Sequence, residues 1–324
     1  MEFRSDYAEF SAIPQAVIVH DPVATGAFAT MEDIDDPAQL VRELLFRERP
    51  EARLYARQHL AFVELLREHV ERVIYLSEII GEHEFFDAAR ANPNQVFTRD
   101  SIITLPWLPG GYITPHMAKA LRRPESAATG LALQRLGLSE IIRLPEHLFL
   151  EGGDVIPYSR EGRRTLLVGY GRRTQVETLF YLQQMLIPEY ADEIIGLELA
   201  PWRMNLDGGF VPIAEDVVVS NSESIIAAIH FDAHTHRALN VFDMLRDLGT
   251  KVIDTTADES VFGQACNCLC LGERRVIYYD LNPRVRAELE RHGIEVHSTP
   301  GSELVKGRGG PRCMSRPIYQ SPLS

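Results

Sequence analysis

Two rhythms of apolar and polar residues run along the chain. Short apolar or β-branched runs that end at Gly, Pro, Asn or Asp predict strands. They fall at 16–19, 72–76, 101–105, 165–169, 217–219, 251–253, 268–271, 275–279 and 294–296. Between them the apolar spacing stretches to three and four residues, the period of a helix with one buried face. The longest such pattern covers 51–70, with Leu54, Leu60, Phe62, Val63, Leu65 and Leu66. A second, 174–186, carries Val176, Leu179, Phe180, Leu182 and Met185. Two more are predicted at 237–248 and 283–291, the latter with Pro283 at its first position, where a missing N–H costs nothing. Strands and helices therefore interleave, in an α+β chain whose recurring order is strand, strand, helix, strand. No strict sequence repeat accompanies that order.

Composition narrows the function. The chain has 324 residues, and its 33 basic and 46 acidic side chains give a net charge of −13. That sign repels phosphate backbones, so no nucleic acid partner is expected. No apolar run approaches the roughly 20 residues that span a bilayer, so no membrane partner is expected either. The opening residues, Met1 to Asp6, lack the basic and apolar regions of a signal peptide. Four cysteines, three of them crowded together, make no disulfide framework. The expected location is the reducing cytoplasm. No linker or low-complexity segment divides the chain, and residues 1–324 are expected to form a single domain.

Four segments set charged or polar residues against glycine: Asn94 to Asp100, Glu151 to Asp154, Met204 to Phe210 and Gly307 to Ser315. In the last, Cys313 follows a glycine-rich stretch with two arginines. Glycines allow close backbone approach, and nearby positive charge lowers a thiol pKa, as a nucleophile requires. The alternative is an inert buried cysteine in a turn. Asp100, Glu151, Asp154 and Asp207 are candidate partners for a planar cation, since a carboxylate accepts two N–H groups of a guanidinium in parallel. Cys266, Cys268 and Cys270 alternate as on one strand face and read as small buried hydrophobes rather than metal ligands. Asp232, His234 and His236 sit where a loop meets a predicted helix and read mainly as turn and cap residues. Neither glycine pair is followed by the Lys-Ser/Thr of a phosphate loop.

Taken in order, these segments resemble arginine deiminase and the wider guanidine-modifying superfamily. Phe97-Thr98-Arg99-Asp100 is similar to the family's FTRD segment, Glu151 to Asp154 to its EGGD segment, and Gly307 to Ser315 (GRGGPRCMS) to its nucleophile segment. Gly171 to Thr174 resembles a GxxRT segment, and Leu44 to Arg47 with the following helix resembles the deiminase N-terminal region. The resemblance implies a pentein-like fold of five α/β modules, pseudo-fivefold ββαβ repeats around a central active site. It implies a hydrolase acting on the guanidine C–N bond of arginine or a close analogue. Cys313 would attack the guanidinium carbon and form a thiouronium. Asp100 and Asp207 would grip the guanidinium, and Glu151 would hold the proton carrier. Asn94, Arg173 and Arg308 would bind the α-carboxylate, with Arg99 and Asp154 completing the substrate-binding set. The Arg122-Arg123 stretch resembles an arginine-rich segment that reaches the same carboxylate. No cofactor or metal is implied, and a homodimer is.

Two departures stand out. The stretch 76–94 leaves no room for the helical insertion of full-length arginine deiminases. More consequential, the family's His-x-Asp is here Asn205-Leu206-Asp207, and Asn205 does not titrate near neutral pH. Loss of a positioned acid/base usually costs about 10²–10⁴-fold. The proton would pass instead through Glu151, a water, or a histidine such as His116 or His230. Phe210 to Ile213 resembles a stretch of the amidinotransferases, so amidino transfer to an amine is the alternative activity. A guanidine-binding protein of impaired catalysis is the alternative outside it.

Overall fold

The computed structural model describes residues 8–160 and 162–319, the Arg160 side chain excepted. Its strands form five sheets that share one plan: a central strand paired antiparallel on one side and parallel on the other. In the first, Ala16–Val19 pairs antiparallel with Arg316–Ile318 and parallel with Arg72–Tyr75. In the second, Gly111–Thr114 lies between Ile103–Thr104 and Ser139–Arg143. In the third, Arg163–Tyr170 lies between Val155–Arg160 and Glu193–Leu199. In the fourth, Val217–Ser220 lies between Phe210–Ala214 and Lys251–Asp254. In the fifth, Arg275–Tyr279 lies between Leu269–Cys270 and Glu295–Thr299. The third sheet gains two further strands, Ile225–Phe231 and His236–Leu239.

A parallel pair needs a crossover, and each crossover here contains a helix. These are Ala52–His69, Arg123–Arg135, Val176–Leu186, Val241–Asp247 and Pro283–Arg291. The predicted order of strand, strand, helix, strand is thus the order of the units. The mixed α+β class holds. Pro283 opens its helix at the predicted position.

Three local expectations need correcting. The helix predicted from 237 begins only at Val241. Asn240 caps it, its side chain accepting from the N–H groups of Phe242 and Asp243, and the residues before it pair with Ile225–Phe231 in a hairpin. The strand predicted at 101–105 is reduced to Ile103–Thr104, because Thr98–Ser101 coils into a helical turn. Cys266 and Cys268 lie ahead of the short strand Leu269–Cys270 rather than on it. All three cysteines still pack into one apolar core while Leu269 and Leu271 fill another. The stretch 76–94 holds two short helices, Leu76–Ile80 and Glu84–Arg90.

The antiparallel strand of each sheet is entered through a tight turn. Those turns hold Cys313, Asp100, Glu151 to Asp154, Asn205 to Gly208, and Asn267. Chemistry-bearing residues from five distant segments therefore occupy the same place in five similar units.

Candidate active site

A cavity of about 290 Å³ opens among these turns, lined at one end by Cys313, Asp100 and Asp207 and elsewhere by Asn94, Asn205 and several arginines. Cys313 is held on three sides. Asn267 Oδ1 accepts from the N–H groups of Gly310 and Cys313, at 3.1 and 3.0 Å. Its Nδ2 donates to Cys313 Sγ at 3.0 Å and to the Asp207 carbonyl at 3.2 Å. The thiol in turn faces Asp207 Oδ2 at 3.3 Å. Gly309 has to be glycine: a Cβ there would run into the Phe97 ring.

The charge around the thiol differs from expectation. Burial, and then the carboxylates of Asp207 and Asp100, push the Cys313 pKa well above its ordinary value. The motif's arginines do not offset this, because their charge is directed elsewhere. Arg312 donates through Nε and Nη2 to the two oxygens of Glu9 at 2.9 and 2.8 Å and through Nη1 to Asp207 Oδ2 at 2.9 Å. Arg308 points its Nη1 at Met204 Sδ.

The carboxylates are close-packed. Asp100 accepts from the Gly153 N–H at 3.0 Å and from Arg122 Nη1 at 2.8 Å. Arg122 is itself forked onto Glu125, at 2.9 and 2.7 Å. A Cβ on Gly153 would lie 2.5 Å from Asp100 Oδ1 and 3.3 Å from Asp207 Oδ1, so glycine lets the two carboxylates converge. Burial pushes Asp207 up; Arg312 opposes this and Asp100 adds to it. Glu151 and Asp154, fully buried behind the cavity, are bridged by Asn205. The Asn205 Nδ2 donates to Glu151 Oε2 at 3.0 Å and to Asp154 Oδ2 at 3.2 Å. Burial raises Asp154 well above the carboxylate range, against the hydrogen bond it accepts from Thr174.

Arg173 binds Glu151 Oε1 at 2.9 Å and reaches Met204 Sδ with its other terminal nitrogen, so Arg173 and Arg308 converge on one sulfur. Asn94 lines the cavity, its amide anchored on the Leu44 carbonyl at 2.8 Å. Arg99 does not line it. Its guanidinium is buried beneath the site, on Glu9 at 3.2 Å and the Arg312 carbonyl at 3.1 Å. No described lining residue is a histidine. His230 pairs with Glu193 at 2.8 Å within its sheet, and His116 packs on Phe149. Asp232, His234 and His236 belong to the hairpin, whose turn Asp232 closes by accepting from the N–H groups of His234 and Thr235.

Sequence reasoning missed Asn267, Glu9 and Arg203, and gave Met204 no role beyond opening its segment. Asn267 stands between cysteines that read as core, and only the pairing of Leu269–Cys270 in the fifth sheet shows that it holds the place of the other site turns. Glu9 pairs with a residue 303 positions away, and no local pattern announces that. Arg203 lines the cavity wall, held by the hydroxyls of Ser224 at 3.1 Å and Ser260 at 2.5 Å.

Comparisons with known proteins bear on the fold and on the family. The N-terminal domain of ArgZ, an arginine dihydrolase of the cyanobacterial ornithine–ammonia cycle, superposes with a TM-score of 0.68 at 17% identity. That match covers 94% of this chain and 97% of that one. DDAH from Pseudomonas aeruginosa, solved as a cysteine-to-serine mutant with citrulline, gives 0.67 at 19%, covering 94% and 99%. These likenesses concern the fold. In sequence, the arginine deiminase of Mycobacterium marinum (strain ATCC BAA-535 / M) is 30% identical over 254 residues, 71% of this chain and 61% of the relative. That of Rhodococcus erythropolis (strain PR4 / NBRC 100887) is 29% identical over 254 residues, with the same coverage. The chain thus spans less than two thirds of these relatives' length. The family model for arginine deiminase matches residues 89–320. That match takes in every segment that builds the cavity's reactive end, and the chain belongs to the arginine deiminase family.

Proposed function

We propose that the protein hydrolyses the guanidine C–N bond of arginine or a close arginine analogue through a covalent intermediate on Cys313. One observation carries the reading: Cys313 Sγ lies 3.3 Å from Asp207 in a cavity with Asp100 beside it and arginines at its other end. A guanidinium docked between Asp100 and Asp207 brings the positive charge that the thiol lacks. It offsets the carboxylates that hold the Cys313 pKa up, so the substrate itself favours the thiolate. The thiol proton passes to Asp207 Oδ2. The sulfur then bonds to the guanidinium carbon, and the C=N electron pair moves onto nitrogen. Asp207 returns that proton to the departing nitrogen as the C–N bond breaks, which expels ammonia and leaves a thiouronium. Water adds to that carbon and gives a proton to the Asp207 carboxylate, the C–S bond breaks with its electron pair on sulfur, Asp207 reprotonates the thiolate, the remaining proton passes to the released ammonia, and a neutral ureido product departs. Asn94, Arg173 and Arg308 bind the substrate's carboxylate, Arg–carboxylate forks being the natural pairing. Glu151 and Asp154 fix Asn205 from behind.

Asn205 favours a second reading. Its amide is committed to two carboxylates and no described lining residue is a histidine, so water activation is weak and an amine acceptor would suffer less. Amidino transfer is therefore the alternative. The proposal also takes the five units as modules about a pseudo-fivefold axis, in a single domain over 1–324 without a helical insertion. It takes the assembly as a homodimer in the cytoplasm.

The test is product analysis by mass spectrometry with arginine, against a Cys313→Ala control. Citrulline with ammonia is expected from the wild type and none from the variant. Ornithine would favour removal of the whole amidino group, and no product from any arginine derivative would reject the hydrolase. An Asn205→His variant should raise kcat, with up to about 10²-fold to recover for one restored acid/base.

A further inference from the structure

The mouth of the cavity carries more positive charge than one carboxylate neutralises. Arg47, Arg172, Arg173 and Arg308 line it. Among the described residues only Arg173 holds a carboxylate at hydrogen-bond distance, Glu151 at 2.9 Å. Arg47 rests on the carbonyls of Val261 and Val305 and over the Phe262 ring, and reaches Glu48 only at 3.6 Å. Arg308 and Arg172 pair with no described carboxylate. The four share one space: burial, and then the charges of Arg47, Arg173 and Arg172, push the Arg308 pKa down. Arg308 also adopts a left-handed backbone, φ 72°, which is unfavourable for a residue with a Cβ. The chain nonetheless sets a guanidinium there, in a protein whose net charge is −13.

The acidic lining residues are Asp100 and Asp207, both at the Cys313 end. Free arginine brings one carboxylate to the mouth together with an ammonium, and no lining carboxylate waits there for the ammonium. Resting on the hydrolase reading of this same site, we propose that the substrate is a guanidine whose far end carries two acidic groups and no free ammonium, such as an arginine acylated on its α-nitrogen by a dicarboxylic acid. Arg173 and Arg308, which meet at Met204, hold the α-carboxylate; Arg172 and Arg47 hold the second acid. Trp202 and Phe262, 43% and 53% exposed and both lining the cavity, offer apolar surface to the chain that joins the two acids.

The test is calorimetry on the Cys313→Ala protein, which binds without turnover, with L-arginine, N2-acetyl-L-arginine and N2-succinyl-L-arginine as probes. The acetyl and succinyl compounds both lack the ammonium and differ in the second acid. Succinylarginine should bind at least about tenfold more tightly than acetylarginine, the size of one good charge-assisted contact. An exposed-site variant, Arg172→Gln, should shrink that ratio severalfold. Equal affinities, no binding of either compound, or a ratio that Arg172→Gln leaves intact would overturn the inference. Turnover by the wild-type protein separates the two readings. Citrulline from arginine without a succinyl preference keeps the hydrolase and removes the two-acid substrate. A succinyl preference with no turnover of any probe keeps the substrate class and removes the hydrolase.

Discussion

At the scale of single residues, the site depends on a carboxylate far from it in sequence. Glu9 is buried with Arg312 forked on it and Arg99 beside it. Burial alone would raise its pKa; the two arginines outweigh that and hold it at about 2, against an ordinary 4.5. A depressed carboxyl contributes stability that is complete above the unfolded value and is lost as pH falls through the folded one. The contribution is therefore whole at pH 7 and fades between 4.5 and 2. Glu9→Gln should cost about 3 kcal/mol at neutral pH, the scale of one broken buried pair. In urea unfolding its gap to the wild type should close below pH 4.5; a gap independent of pH would contradict this ionisation. The charge logic was only partly legible in the residues. The Cys313 motif shows two nearby arginines, but not that Arg312 spends its charge on Glu9 and Asp207. Nor does a motif say which way a side chain faces, and Arg99 turns beneath the site beside an Asp100 that lines it.

At the scale of elements, the tight turn before each antiparallel strand is what delivers the chemistry. Gly152–Asp154 shows why such turns are glycine-rich. The Gly153 N–H donates to Asp100, and the missing Cβ leaves room for Asp100 and Asp207 to approach each other. Gly153→Ala should force the two carboxylates apart. We expect a loss of at least about 10²-fold in kcat/KM, as misplacement of about 1 Å commonly costs, with thermal stability falling far less in proportion. Full activity in that variant would mean the two carboxylates need not converge. The longer helices were legible because each buries one face, and several strands, buried at every position, because they read as short continuous apolar runs. The exceptions are instructive. Residues 237–240 read as helix because Asn240, the true cap, lies inside an apolar pattern that runs through it. Ser101 read as strand because sequence does not register that Asp100, just before it, is tied to Gly153 and Arg122.

At the scale of the molecule, the five sheets repeat one pairing plan, and in four of them the chain runs antiparallel strand, central strand, helix, parallel strand. The order was visible in the sequence. The pairings were not, because each parallel partner lies beyond a helix, and Arg316–Ile318 returns from the far end of the chain to pair with Ala16–Val19. That repetition gathers five remote turns about one cavity, three lining it and two supporting them from behind, which is why Asn267 becomes intelligible only when the units are compared. The proposed reaction turns on a covalent bond between Cys313 and the guanidine carbon. The most direct measurement is intact-protein mass spectrometry after rapid acid quench of the protein with arginine and its N2-acyl derivatives, followed by peptide mapping. A transient mass increase equal to the substrate less ammonia is expected, located on Cys313 and absent in Cys313→Ala. Product formation with no adduct at any quench time, or product undiminished in Cys313→Ala, would contradict it.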